Sequence, residues 1–124
     1  GIAGIQAALD LANGRLRRAF IVARPPAHHA GRDRASGYCF FNSVALAAEV
    51  VVRCWNRPVV VADFGAFHGD GTQNQFYASG EVGFVSVHRY PAFPGSGGGD
   101  EIGEGEGRLA PARDRAPTIC GRRR

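Results

Sequence analysis

The chain has 124 residues, enough for one domain built on one core, and its hydrophobic fraction of 44% with 10% aromatics is that of a folding sequence rather than a disordered one. The net charge of +4 does not describe a basic face for nucleic acid: all fifteen basic residues are Arg, six of them lie in residues 108–124, and residues 1–107 carry nine Arg against ten acids. No apolar run approaches the ~18 residues needed to cross a bilayer, and the scattered Cys39, Cys54 and Cys120 offer no paired spacing, which points to a reducing compartment and a cytoplasmic location.

In chain order, Ile2, Ile5, Leu9 and Ala12 recur at helical spacing and Asn13-Gly14 supplies a stop, so a helix is expected first. Because the chain starts at Gly1 and contains no Met, a further segment is expected upstream. Ala19–Val22 is a short apolar run of strand type, ended by Pro25-Pro26. A polar loop to Ser36 follows, and Asn42 or Ser43 can cap a second helix through Val44, Leu46, Ala47, Ala48 and Val51. Pro58 introduces Val59–Ala62, read as a fully buried strand. A short helical segment at Thr72–Tyr77 and a third strand at Val82–Val87 complete the regular elements. Pro91–Gly107 reads as a glycine-dense loop, and residues 108–124, without periodicity, as a disordered Arg/Pro-rich tail.

This alternation predicts an α/β fold with a parallel sheet and flanking helices. All four histidines (His28, His29, His68 and His88) fall in the loops after the expected strands. In parallel α/β sheets, ligand sites lie beyond the carboxyl ends of strands. The histidines are therefore expected to share one region. The pair His28-His29, in a loop pinned by two prolines, suits general base and general acid work, because imidazole titrates near working pH. Taken alone, a His-His pair is more often two exposed loop residues. Asp63, at a strand end, and Asp70 are carboxylates that could orient an imidazole, although Asp63 taken singly reads as a strand-end turn residue. The glycine-rich stretch before Gly107 lacks a GK[ST] ending and carries Asp100, Glu101, Glu104 and Glu106, so it is not a phosphate cradle.

The segments RPPAHHA, SGYCFFNSVALAA, HGDGTQ, FYASGEV, VSVHRYPAFPGSG and EIGEGEG follow the order and spacing of the histone deacetylase family, which includes acetoin-utilisation and acetylpolyamine amidohydrolase relatives. The chain resembles the central part of such a domain over residues 1–107. The resemblance implies part of an arginase/deacetylase-type fold. It also implies zinc-dependent hydrolysis of acetyl-lysine or a related acetylated small amine. His28 and His29 match the tandem histidines that serve the zinc-bound water and the leaving amine. Asp63 and Asp70 match the acids that orient them, Asp63 on His28 and Asp70 on His29. Gly37, Tyr38 and Phe93 match the walls of the narrow acyl-lysine tunnel. Asp63 and Ser86, with the carbonyls of Gly65, Phe67 and Val87, match a structural potassium site, while His88 is expected to be a packed structural histidine.

Two positions depart from the family pattern. Where it reads Asp-x-Asp-x-His-His-Gly, this chain reads Asp63-Phe64-Gly65-Ala66-Phe67-His68-Gly69. Gly65 stands in place of a zinc-ligating aspartate and Phe67 in place of a zinc-ligating histidine. The family's third ligand and its tyrosine lie beyond the matched segments. The expectation is a catalytically incompetent relative without bound zinc, or a pseudoenzyme that keeps the tunnel for binding. Phe67 is expected to fill the space of the lost metal with apolar contacts, and a rearranged metal set of His28, His29, His68 and Asp70 is the alternative. A membrane partner is not expected, nor a nucleic acid. The change of character after Gly107 is expected to reflect a frame shift or truncation.

Overall fold

The computed structural model describes residues 2–108. Helix α1 spans Ile2–Ala12, α2 Ser43–Trp55, strand β1 Val59–Phe64, helix α3 Asp70–Phe76 and strand β2 Val82–Val87, followed by a single 3₁₀ turn at Gly105–Gly107. The Arg/Pro-rich tail expected at residues 108–124 lies outside the described residues, except for Arg108.

Helix α2 starts and stops for a local reason. Asn42 caps α2, its side-chain oxygen accepting from the Ala45 amide at 3.0 Å. The helix ends at Asn56 in the left-handed conformation, whose amide donates to the Val52 carbonyl. Between α1 and α2, the Trp55 indole donates to Asn13 Oδ1 at 3.0 Å. The core is small: Ala45 and Ala48 of α2 meet Phe76 of α3 and Val82 of β2, with Val52, Val59 and Val61 around them. The two alanines let helix and sheet approach closely.

β1 and β2 pair in parallel, in register from Val59 opposite Val82 to Phe64 opposite Val87, and α3 makes the crossover. The fold is α/β with a parallel sheet and flanking helices, as expected. Two expectations fail. Ala19–Val22 forms no strand: Phe20 is 93% exposed and Val22 also lies open, because an apolar run without a neighbouring strand gains nothing from being extended. β1 is not buried on both faces either; half-buried and exposed residues alternate along it, and Val60 is 72% exposed. Its inward face, Val59, Val61 and Asp63, ends in a carboxylate at the carboxyl edge of the sheet.

Candidate active site

Three loops and one helix start converge beyond the carboxyl ends of β1 and β2. Asp63 is brought there by β1, and its register partner on β2 is Ser86, so two oxygen-bearing side chains lie side by side on one face. Asp70 is the first residue of α3, where the helix amides favour a negative charge. The His28-His29 segment is tied down by its backbone. The Thr72 amide donates to the His28 carbonyl at 3.1 Å, and the His29 amide donates to Cys39 Sγ at 3.4 Å. Asn42 adds a third tie, donating to the Ala30 carbonyl and to Thr72 Oγ1.

The consequence is two imidazole–carboxylate pairs. His28 Nδ1 donates to Asp63 Oδ2 at 2.8 Å, and His29 Nδ1 donates to Asp70 Oδ1 at 2.7 Å. The rings lie 4.1 Å apart. Both carboxylates accept only, so in each histidine Nε2 is the nitrogen left for a ligand. His29 is buried, and its partner Asp70 is also reached by Arg34 at 3.6 Å. His28 is more open. The hydrogen bond it donates to Asp63 raises the His28 pKa above its ordinary 6.5, outweighing burial, which pulls the other way.

Glycines make this spacing possible. A Cβ on Gly69 would overlap Asp63 Oδ2, and one on Gly37, which has φ 52°, would overlap the His29 ring. Next to Gly37, Tyr38 also adopts a left-handed backbone, φ 62°, and the residue is 88% exposed. A bulky residue rarely holds that conformation, and its neighbours Ser36 and Cys39 pin it by exchanging backbone hydrogen bonds. Phe93 meets His29 edge-on, with ring centroids 5.0 Å apart. Gly37 and Phe93 thus flank His29, with Tyr38 beside them at the surface.

The matching family model is the histone deacetylase domain, over residues 2–113. The chain belongs to the histone deacetylase family. It is 43% identical over 107 residues to histone deacetylase 9 of Homo sapiens, an alignment covering 83% of this chain and 11% of that protein. It is 38% identical over 119 residues to histone deacetylase 15 of Arabidopsis thaliana, covering 92% of this chain and 21% of that one. The crystal structure of the HDA15 HD domain superposes with a TM-score of 0.81 at 36% identity, over 85% of this chain and 31% of that chain. The fold is therefore part of the deacetylase fold, and the chain spans only a minor part of the relatives it matches.

The family's zinc does not suit the side chains present. Gly65 follows β1 directly, its amide donating to the Val87 carbonyl, and the space where a side chain would project is open for 4 Å. Phe67 turns its ring toward Phe93, centroids 5.9 Å apart at 88°, and lies 6.5 Å from His29. A hydrogen atom and a hydrocarbon ring offer no lone pair, whereas a catalytic zinc needs about three protein ligands and an open position. The rearranged set of His28, His29, His68 and Asp70 is not assembled. His68 turns away, with Nδ1 on Ser96 Oγ at 2.8 Å and Nε2 on Gln73 Oε1 at 3.0 Å. Among the described residues no three His, Cys, Asp or Glu side chains share a metal position.

His88 is packed, as expected, and with His68 it forms a polar cluster behind the site whose other members the sequence did not point to. His68 and His88 are buried with ring centroids 4.6 Å apart, and His88 bridges Ser86 Oγ at 2.8 Å to the Gly97 carbonyl at 3.1 Å. Glu101, read earlier only as a charge hostile to phosphate, accepts from the amides of Gly97 and Gly98 at 2.7 and 3.2 Å and from Gln73. The signal available in the sequence was a carboxylate two residues beyond the Gly97–Gly99 run, a spacing that lets it close the loop on itself.

Proposed function

We propose that this chain forms the acyl-amine-binding part of a deacetylase-type domain and that it binds its ligand without hydrolysing it. The ligand class is acetyl-lysine in a peptide, or an acetylated small amine, entering beside Tyr38 between Gly37 and Phe93. The observation that carries this reading is the contrast within one site: both His–Asp pairs are formed at 2.7–2.8 Å, while Gly65 and Phe67 hold no side-chain donor for a zinc ion.

What the residues can do follows from that contrast. Asp63 holds His28 by Nδ1 and favours its protonated form, so Nε2 can donate to an acyl carbonyl oxygen. Phe93 and the Tyr38 ring offer apolar faces to an alkyl stem. General acid–base help supplies about 10²–10⁴ in rate, and amide hydrolysis also needs an activated water and a polarised carbonyl. In the deacetylase family zinc supplies both. Asp63 and Ser86, paired across the sheet with hard oxygen donors, suit a potassium ion, which would brace the ends of β1 and β2. The unpaired thiols of Cys39 and Cys54 fit a reducing, cytoplasmic setting.

The test compares the full chain with the double variant Gly65→Asp, Phe67→His. Zinc content, hydrolysis of an acetyl-lysine peptide and affinity for that peptide are measured on both. The reading expects peptide binding by the parent with neither stoichiometric zinc nor turnover, and a gain of zinc in the variant. Hydrolysis by the unmodified chain that a chelator abolishes would overturn it, as would a parent that does not bind the peptide.

A further inference from the structure

Behind the aromatic slot a single carboxylate dictates a chain of hydrogen bonds. Glu101, ionised, can only accept, so Gln73 must present its amide N–H₂ to it, which leaves Gln73 Oε1 facing His68 as an acceptor. His68 Nε2 must then carry the proton, and His68 Nδ1 must accept from the Ser96 hydroxyl. The same carboxylate draws in the amides of Gly97 and Gly98, and the Gly97 carbonyl accepts from His88 Nε2. The loop is gripped from both sides at Gly97, where a Cβ would overlap His88 Nε2 and crowd His68 Cγ. Burial would raise the Glu101 pKa, but the hydrogen bonds from Gln73, Gly97 and Gly98 more than offset it and hold it below the ordinary carboxylate range. His68, 1% exposed, is pushed below 6.5 by burial, consistent with a neutral ring.

These bonds link two loops that carry the slot. His68 follows Phe67 in the chain, and Ser96 lies three residues after Phe93, whose ring meets Phe67. With no ligand pair at positions 65 and 67 for a metal to hold, the loop after β1 and the loop after β2 are joined here by side-chain hydrogen bonds. We infer that Glu101 is a positioning residue for the slot: through Gln73 it fixes the Nε2–H tautomer of His68, and through Gly97 and Gly98 it fixes the loop that sets Phe93 against Phe67 and His29. The inference rests on Phe93 being a slot wall, as proposed above.

The test is Glu101→Gln in the full chain, beside the swap Gln73→Glu with Glu101→Gln. In the single variant two amide donors face each other. Either Gln73 rotates and the His68 proton moves to Nδ1, or the new amide rotates and the Gly97 and Gly98 amides lose their acceptor. Side-chain ¹⁵N spectra of His68 read the first outcome, and hydrogen exchange at Gly97 and Gly98 reads the second. The parent should show a pyridine-type Nδ1 on His68. The single variant should show one of the two changes and bind an acetyl-lysine peptide about tenfold more weakly, a loss of ~1.4 kcal/mol. The swap re-creates every donor–acceptor match and should restore all three signals. A parent with the proton on His68 Nδ1, or a single variant in which tautomer and exchange are both unchanged, overturns the inference. If the parent binds no peptide, the functional reading fails, and the tautomer and exchange data still decide the role of Glu101.

Discussion

Gly71 puts the packing beneath the site to a direct test. It lies in the first turn of α3, where alanine would ordinarily be the better helix former by ~1 kcal/mol. Here a Cβ would stand 2.6 Å from the carbonyl carbons of both His29 and Ala30, closer still to the Ala30 oxygen, and every obstacle is backbone. Relief requires α3 and the His28–Ala30 segment to part by about 1 Å, since packed interiors hold no spare volume. That movement stretches the 2.7 Å bond between Asp70 and His29 beyond hydrogen-bonding range. Forced overpacking costs about 1–3 kcal/mol and a broken buried bond to a charged group about 1.5–3 kcal/mol. After the helix preference is returned, Gly71→Ala should destabilise the chain by about 3 kcal/mol. Urea unfolding followed by Trp55 fluorescence and far-ultraviolet circular dichroism measures it. Gly65→Ala is the control: with open space around it, it should change stability by no more than ~0.5 kcal/mol. A Gly71→Ala chain as stable as its parent would refute the close approach of α3 to the histidine loop.

Histidine titrations followed by nuclear magnetic resonance should separate His28 from His68. The His28 midpoint should lie above 6.5 and fall on Asp63→Asn, whereas the His68 midpoint should lie below 6.5. The linkage signs are opposite. The His28 contribution to stability is complete below pH 6.5 and fades as pH rises through its native pKa, while that of His68 is present above 6.5 and is lost as pH falls through its own. Asn42→Ala removes a helix cap and leaves the Ala30 carbonyl without its side-chain donor; a loss of about 2–4 kcal/mol is expected in the same urea assay. Phe93→Ala should cost no more than ~1.5 kcal/mol of stability, since its ring is half-exposed, yet weaken acetyl-lysine peptide binding about tenfold.

What could be seen in the sequence was what local chemistry writes there. α1, α2 and β2 carry period, cap or apolar run within their own residues, and the cap of α2 was narrowed to Asn42 or Ser43, of which the structure uses Asn42. Ala19–Val22 carried the same apolar signal as β1 and yet is no strand. Strand formation depends on a neighbour that no local pattern specifies. The site divides in the same way. His28, His29, Asp63 and Asp70 stood out because their segments resemble a known family. Gln73 and Ser96 carried no sign of a role and Glu101 only that of a charge hostile to phosphate: each is an ordinary polar residue whose meaning lies in a partner 28 residues away or in a backbone amide.

The two departures from the family pattern, at positions 65 and 67, both fall just past the end of β1. Asp63 lies within β1, whereas Gly65 and Phe67 follow its last residue, Phe64, in a bend. Neither position offers a side-chain lone pair to a zinc ion, while Asp63 keeps its partner, the imidazole of His28. Asp63 is also braced independently of any metal, by its place opposite Ser86 on β2 and by the close approach of Gly69. Asp70, on α3, is held by His29, Arg34 and the start of its own helix. The half of the site that handles protons is therefore self-supporting, and the half that would activate water is absent from positions 65 and 67. Restoring Gly65→Asp alone should leave the His28 titration in place without creating a metal site, because two carboxylates on one strand end still lack the nitrogen donor that Phe67 cannot supply.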